Sequence, residues 1–430
     1  MQVFQTPEYV RFWLGLIILT YLVLGLLFRS RRPWIPVWCI MAFSSFMTTA
    51  FGLVSFDEIS SVIDMDVILF LIGMFSLVGL AESSGLLNVI AVAFISLFRR
   101  TIALLYGSSI LFGLLAAFTV NDTVALIGPP IAYTISRVAK IDPKMMFLLL
   151  TFSLTIGSVM TPIGNPQNVL IAVESGIEAP FIKFIAKLSL PSLMNLLLTT
   201  YILIKKYRIK DDKLNIGFIA HEALKNRRDA ILAGSGILLT VIALIVNDLL
   251  QMYGGPHITY RGVIPFIIAA ATYLLTSNPR RTLSSVDWGT IVFFITMFIT
   301  MEGVWRSGIL QPILNIIMPS KTSGFEAVIS ITAISILLSQ LLSNVPFVKL
   351  FINYMKDLGY TGLDQESWIA LAMSSTIAGN LTLLGAASNI IVLETLESKM
   401  KTTITFIEFV KIGSIITLVN CVIYLIFFII

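Results

Sequence analysis

The 430-residue sequence predicts an all-α polytopic membrane protein: two inverted-topology repeats with about ten transmembrane helices, two re-entrant hairpins and two broken helices. Three observations predict it. The chain is 57% hydrophobic and only 12% charged, with a mean hydropathy of +0.92, which excludes a soluble globular protein. Apolar runs of roughly 17 to 25 residues recur along almost the whole length. Finally, residues Ile63 to Leu87 align without a gap on Val286 to Leu310, an offset of 223 residues with identical pairs such as Asp64/Asp287, Phe75/Phe298 and Gly85/Gly308.

The first run, 12 to 28, ends in Arg-Ser-Arg-Arg rather than a small-residue cleavage site, so it reads as a retained span. Spans at 34–53 and 65–82 follow. A short apolar stretch then leads to two apolar arms, 101–119 and 124–138, meeting at Asn121-Asp122-Thr123. That polar tip cannot face lipid, where its free backbone groups would be unsatisfied, so 101–138 is expected to be a re-entrant hairpin. The next span, 146–174, carries Gly157, Pro162, Gly164 and Pro166 and is expected to break, because prolines remove donors and clash with preceding carbonyls. A span at 180–204 completes repeat A, 12–204. After the polar loop 205–229, repeat B (230–430) follows the same plan. It has spans at 230–249, 262–277 and 288–305, a hairpin at 324–355 around Ser343-Asn344, a broken span at 367–395 and a last span at 407–430. Five crossings and one hairpin per half is an odd number, so the halves point in opposite directions.

Charge orients this layout. With Arg29, Arg31 and Arg32 cytoplasmic, so are Arg99, Arg100, Arg137, Lys140, Lys144, the basic loop 205–229, Arg280, Arg281, Lys399 and Lys401. Acidic Asp57, Glu58, Glu174, Glu178 and Asp248 fall outside, as do both termini. The formal charge of +5 belongs to these orienting loops of a cell-membrane protein; no nucleic-acid partner is expected. Cys39 and Cys421 each stand alone in apolar runs, and His221 and His257 lie in loops, so neither a disulfide framework nor the metal set of an intramembrane hydrolase is expected. No cofactor is expected beyond Na+ or H+ as a coupling ion.

The polar breaks carry the chemistry. In repeat A, Thr161, Gly164, Asn165, Gln167 and Asn168 accompany carbonyls freed by the broken helix, suited to a sodium ion or to an oxyanion. A kink satisfied by neighbouring helices is the alternative. In repeat B, at an offset of 221, Gly379, Asn380, Thr382, Gly385 and Asn389 mark the equivalent break. Asp122 at the first tip is costly in a bilayer unless protonated or paired, so it is either a titrating or cation-binding group or a cap for the following arm. Lys349, one turn beyond the Ser343-Asn344 tip, faces an anionic substrate, exchanges protons or snorkels outward. A possible Na+ site draws on Asn121, Asp122, Asn165 and Asn344. Glu302 and Arg306 are expected to pair, and Asp64 and Asp287 to cap helices.

At these motifs the chain resembles the ion transporter superfamily, which includes arsenite efflux permeases, citrate and divalent-anion symporters, sodium/proton antiporters and the P protein. Asn121-Asp122-Thr123 with Ala125-Leu126 and Pro129, Ser343-Asn344-Val345-Pro346, and Gly379 to Ala386 are similar to patterns of the arsenite permease and P protein branch. Gly164-Asn165-Pro166-Gln167-Asn168 is similar to an element of the divalent-anion symporters, whose Ser-Asn-Thr tips this chain lacks. The resemblance implies secondary active transport of a small anion or oxyanion, arsenite-type or an organic anion such as citrate or a dicarboxylate, coupled to Na+ or H+. It also implies hairpins and broken spans moving as one unit against a scaffold in a homodimer; an ATPase partner is not readable from the chain. The rival expectations are a sodium/proton antiporter of the same fold and, remotely, an intramembrane enzyme. The copies differ where Asp122 faces Val345, Leu126 faces Lys349, and Asn165-Pro166 faces Ala386-Ala387.

Overall fold

The computed structural model describes residues 7–29, 35–214, 224–318, 320–400 and 403–429. Arg31, Arg32, Lys401, His221 and the middle of the 205–229 loop lie outside the described residues. The chain is an all-α polytopic membrane protein, and among the described residues no β-strand occurs. The helices are α1 (Glu8–Arg29), α2 (Val37–Ala50), α3 (Ile59–Val62), α4 (Met65–Ser84), α5 (Leu86–Ile95), α6 (Thr101–Thr119), α7 (Asn121–Val138), α8 (Pro143–Ser158), α9 (Pro166–Glu174) and α10 (Pro180–Tyr207). They continue with α11 (Arg227–Met252), α12 (Val263–Leu275), α13 (Pro279–Ser284), α14 (Trp288–Arg306), α15 (Gln311–Ile317), α16 (Gly324–Leu342), α17 (Asn344–Asp357), α18 (Gln365–Ile377), α19 (Ala387–Met400) and α20 (Phe406–Ile429).

Seven of these, α4, α6, α10, α11, α14, α16 and α20, are long and apolar enough to cross a membrane. The span expected at 34–53 is shorter than predicted: α2 has 14 residues, about 21 Å of helix, because Pro36 precedes it and the chain turns at Gly52 with φ 69°. Conversely, α10 runs on to Tyr207, into what reads as loop.

Local chemistry sets the helix ends. Asp64 caps α4 by accepting from the amides of Asp66 and Val67, and Asp287 caps α14 by accepting from Thr290. Gly85 and Gly308, a repeat pair, close the two helices with φ 84° and 77°. Arg306 pairs with Glu302 at 2.7 Å, and also with Glu58 at 2.8 Å. Asp248, expected on the outer side at the end of the span 230–249, is fully buried near the end of α11. It accepts from the amides of Phe181 and Ile182 at the start of α10, and Arg261 lies 3.4 Å away. A buried carboxylate is tolerable there because amides and a guanidinium replace water.

The site is placed by two close helix pairs, α6 on α8 and α16 on α18. In the first, a Cβ at Gly157 would collide with the backbone of Gly113, so glycines permit the approach. Each pair precedes a break. Residues 158–166 and 377–387 both pass through a 3-10 turn, Pro162–Gly164 and Leu383–Gly385, at the 221 offset.

Candidate functional site

The hairpins are reversals of a single residue. Val120 links α6 to α7 with φ 67°, and its counterpart Ser343 links α16 to α17 with φ 68°. Left-handed backbone at a buried β-branched valine costs about 1–3 kcal/mol and survives only where the surroundings enforce it. Immediately after each reversal a helix begins, and neither N-terminus is capped by a side chain. Asp122 therefore does not cap α7; it sits in the first turn. Asn121 and Asn344 are each 7% exposed, yet the side-chain oxygen of each has no hydrogen-bond partner. Such unpaired buried oxygens leave acceptor capacity for a ligand.

The two breaks are stitched internally. Thr161 caps its 3-10 turn by accepting from Gly164 N at 3.2 Å and donates to the Ala117 carbonyl of α6. Asn165 caps α9, accepting from Asn168 N at 2.9 Å, and its amide donates to Ser158 O at 3.2 Å and to Thr376 Oγ1 at 3.1 Å. Asn168 donates to Ser158 O and Thr161 O, both at 3.1 Å. In repeat B, Asn389 donates to Gly379 O at 2.7 Å and Thr382 O at 3.1 Å, and Thr382 donates to Gln340 Oε1 at 2.8 Å. Asn380 donates to Asn420 Oδ1, 3.2 Å away on α20, and Gly385 packs on Ala378 and Gly379. The carbonyls of Ser158, Thr161, Gly379 and Thr382 thus already have donors. Thr161, Gly164, Asn165 and Asn168, with Gly379, Asn380, Thr382, Gly385 and Asn389, do not line the cavity where the tips meet, though the buried side-chain oxygens of Asn380 and Asn389 have no hydrogen-bond partner.

A cavity of about 360 Å³ lies where the tips converge. Asn121, Asp122 and Thr123 of the first tip and Ser343, Asn344 and Val345 of the second line it, as do Pro166 and Gln167 of one break and Ala386 of the other. Of the four residues considered for Na+, Asn121, Asp122 and Asn344 line this cavity; Asn165 does not, and its side-chain oxygen, the atom a cation would need, accepts from Asn168 N. Lys349 is not in the wall. It is 8% exposed, and its ammonium is 2.7 Å from both carboxylate oxygens of Glu174, so it neither snorkels nor meets a substrate here.

Several wall residues carry no signal in the sequence. Trp38, Phe75, Phe293 and Phe294 give apolar surface, while Glu82 and Asp287 join Asp122 as carboxylates. Asp287 is readable as a helix cap and serves as one, but the first turn of α14 also brings it to the cavity. Among the described residues, no lysine, arginine or histidine lines the wall. What the arrangement offers is two helix N-termini, which favour an anion or the oxygens of a polar solute, beside carboxylates and amide oxygens, which favour a cation or proton.

A family model described as Citrate transporter matches residues 19–368. Among similar curated proteins, the 46 kDa membrane protein of Mycobacterium leprae is 25% identical over 374 residues, covering 83% of this chain and 84% of that protein. The silicon efflux transporter LSI3 of Oryza sativa subsp. japonica is 26% identical over 343 residues, 65% of this chain and 69% of that one. The crystal structure of the YdaH transporter of Alcanivorax borkumensis shares the fold, with a TM-score of 0.58, 13% identity, and coverage of 99% of this chain and 98% of that one.

Proposed function

The chain belongs to the citrate transporter family and is a membrane transporter rather than an enzyme, and on that premise we propose that it is a secondary active transporter of a small anion or oxyanion coupled to Na+ or H+. One observation carries the reading: both hairpin tips and both breaks, from halves of the chain more than 200 residues apart, line the same cavity. The opposed halves support inverted repeats, because the cavity meets α4 in its C-terminal half, at Phe75, Gly79 and Glu82, and α14 near its start, at Gly289 and Thr290. In this reading the 205–229 loop is cytoplasmic, the hairpins are re-entrant, and the unit acts as a homodimer.

The wall narrows the substrate class. A tricarboxylate entering alone would meet Glu82, Asp122 and Asp287 without a cationic partner. It must therefore arrive with protons or sodium ions, whereas a weakly acidic hydroxide of the arsenite type enters uncharged. Asn121, Asp122 and Asn344 are the proposed cation ligands, and the first-turn amides of α7 and α17 the proposed oxyanion contacts. Proteoliposomes given citrate, a dicarboxylate or arsenite under imposed sodium or proton gradients test this. Gradient-driven movement of one class is expected, and no gradient-driven movement of any of them overturns it. The same acidic wall favours one rival, sodium/proton antiport of the same fold, which proton flux driven by sodium alone would reveal.

A further inference from the structure

The cavity has a mouth, and the repeat tells where the matching mouth lies. From Asn121 and Asp122 the open space continues past Gly79, Glu82, Leu126 and Ser285 toward Lys225. Leu126, on α7, is 57% exposed there, and Phe75 of α4 lines the wall beside it. The 223 offset carries Leu126 onto Lys349 and Phe75 onto Phe298. Those two are shut away: Phe298 is fully buried and Lys349 is 8% exposed, its ammonium 5.2 Å from the centre of the Phe298 ring. Glu174, the last residue of α9, holds that ammonium with both carboxylate oxygens at 2.7 Å, and Lys356 of α17 approaches the same carboxylate at 3.5 Å. Phe75 is itself 5% exposed, so the difference lies at the other position: Leu126 is open in repeat A and its counterpart Lys349 is packed in repeat B.

We propose that Glu174 and Lys349 are a positioning pair that seals the repeat-related face of the substrate cavity, and that Lys349 becomes a mouth residue when the cavity opens on that face. The inference rests on reading the cavity as the transport path. A buried ion pair is suited to the task, because its strength depends on the exclusion of water. While the face is closed, losing either partner strands a charge. Once water enters, both charges are solvated and the pair weakens. Leu126, at the position equivalent to Lys349, carries no charge, so that position cannot form such an ion pair on the first face. The resting preference for the mouth at Leu126 follows from that asymmetry.

The test reads accessibility rather than transport. In the full-length chain with Cys39→Ser and Cys421→Ser, single reporters Leu126→Cys and Phe298→Cys are exposed in proteoliposomes to a membrane-impermeant maleimide from either side. With the pair intact, Leu126→Cys should react from the Lys225 side while Phe298→Cys is protected. Adding Glu174→Gln should raise Phe298→Cys labelling from the opposite side by about tenfold and lower Leu126→Cys labelling, as a shifted two-state balance requires. The charge swap Glu174→Lys with Lys349→Glu, made together with Lys356→Gln so that no like charge crowds position 174, should restore protection. Unchanged Phe298→Cys labelling, or a rise at both reporters together, overturns the proposal. If Glu174→Gln does not fold, Glu174→Asp is read the same way: a smaller rise at Phe298→Cys supports the seal and no rise overturns it. Because labelling needs no transported solute, failure to move any tested solute would count against the proposed function and leave this result standing.

Discussion

Asn168 and Asn389 make the same pair of hydrogen bonds: each side-chain amide donates to the carbonyls ten and seven positions before it, Ser158 and Thr161 in one repeat, Gly379 and Thr382 in the other. The two breaks are therefore held open by one device used twice. Replacing either asparagine by alanine removes two hydrogen bonds to break carbonyls, at a cost of about 0.5–1.5 kcal/mol each. Asn168→Ala should cost more than Asn389→Ala, because Asn168 Oδ1 also accepts from Thr376 at 3.2 Å whereas Asn389 Oδ1 has no partner. Thermal unfolding of the two variants in detergent checks the order.

Asp122 lines the cavity without capping its helix, which leaves its carboxylate available for the cation-binding role proposed above. Asp122→Asn keeps the shape and removes the charge. Gradient-driven uptake in proteoliposomes should fall at least about tenfold while the elution profile and thermal midpoint stay near those of the parent. Full retention of gradient-driven transport would remove Asp122 from the coupling step.

Gly157 packs against the backbone of Gly113, where α6 and α8 touch. The neighbour is main chain and cannot rotate away, so Gly157→Ala must separate the two helices. A loss of about 1–3 kcal/mol or failure to fold is expected. By contrast Gly254→Ala, with nothing within 4 Å but a φ of 68°, should lose only backbone strain energy, about 1 kcal/mol. Melting curves of both variants measure the difference.

Glu58 gives a pH dependence. Hydrogen bonds from the Ser55 hydroxyl and amide, with Arg306 beside it, hold its carboxyl at about 2, below the ordinary 4.5. A depressed carboxylate stabilises the fold above its ordinary value and loses that contribution as pH falls toward the folded value. The parent should thus melt above Glu58→Gln from pH 7 to about 5, by less than about 1 kcal/mol for so exposed a pair, and the gap should narrow below about pH 4.5 and close by about pH 2. A gap independent of pH would assign the effect to packing.

The arms read as 101–119 and 324–341 are α6 and α16 to within a residue, because apolar length and a polar reversal are both local signals, whereas the spans read as 34–53 and 262–277 fold as the shorter α2 and α12. What the polar residues in the breaks bind was not legible. Unwound carbonyls imply that donors exist, but only the folded chain shows that Asn165 and Asn168 supply them and leave Pro166 and Gln167 to the cavity. Glu82 closes an apolar run and looks like an ordinary helix end, yet it lines the wall. Lys349 and Glu174 meet across 175 residues of chain, and a pairing at that separation leaves no periodic or motif trace.

The bonds from Thr376 to the first break also bear on how the protein is made. Asn165, Gln167 and Asn168 reach their shared hydroxyl partner only after about 200 further residues have been synthesised, roughly 10–40 s at about 5–20 residues per second. Throughout that interval the nascent first half carries polar groups without their final partner beside lipid. Insertion machinery or water has to shelter them, and a ribosome stalled short of residue 376 leaves a fragment suited to quality-control proteolysis rather than to storage in the bilayer.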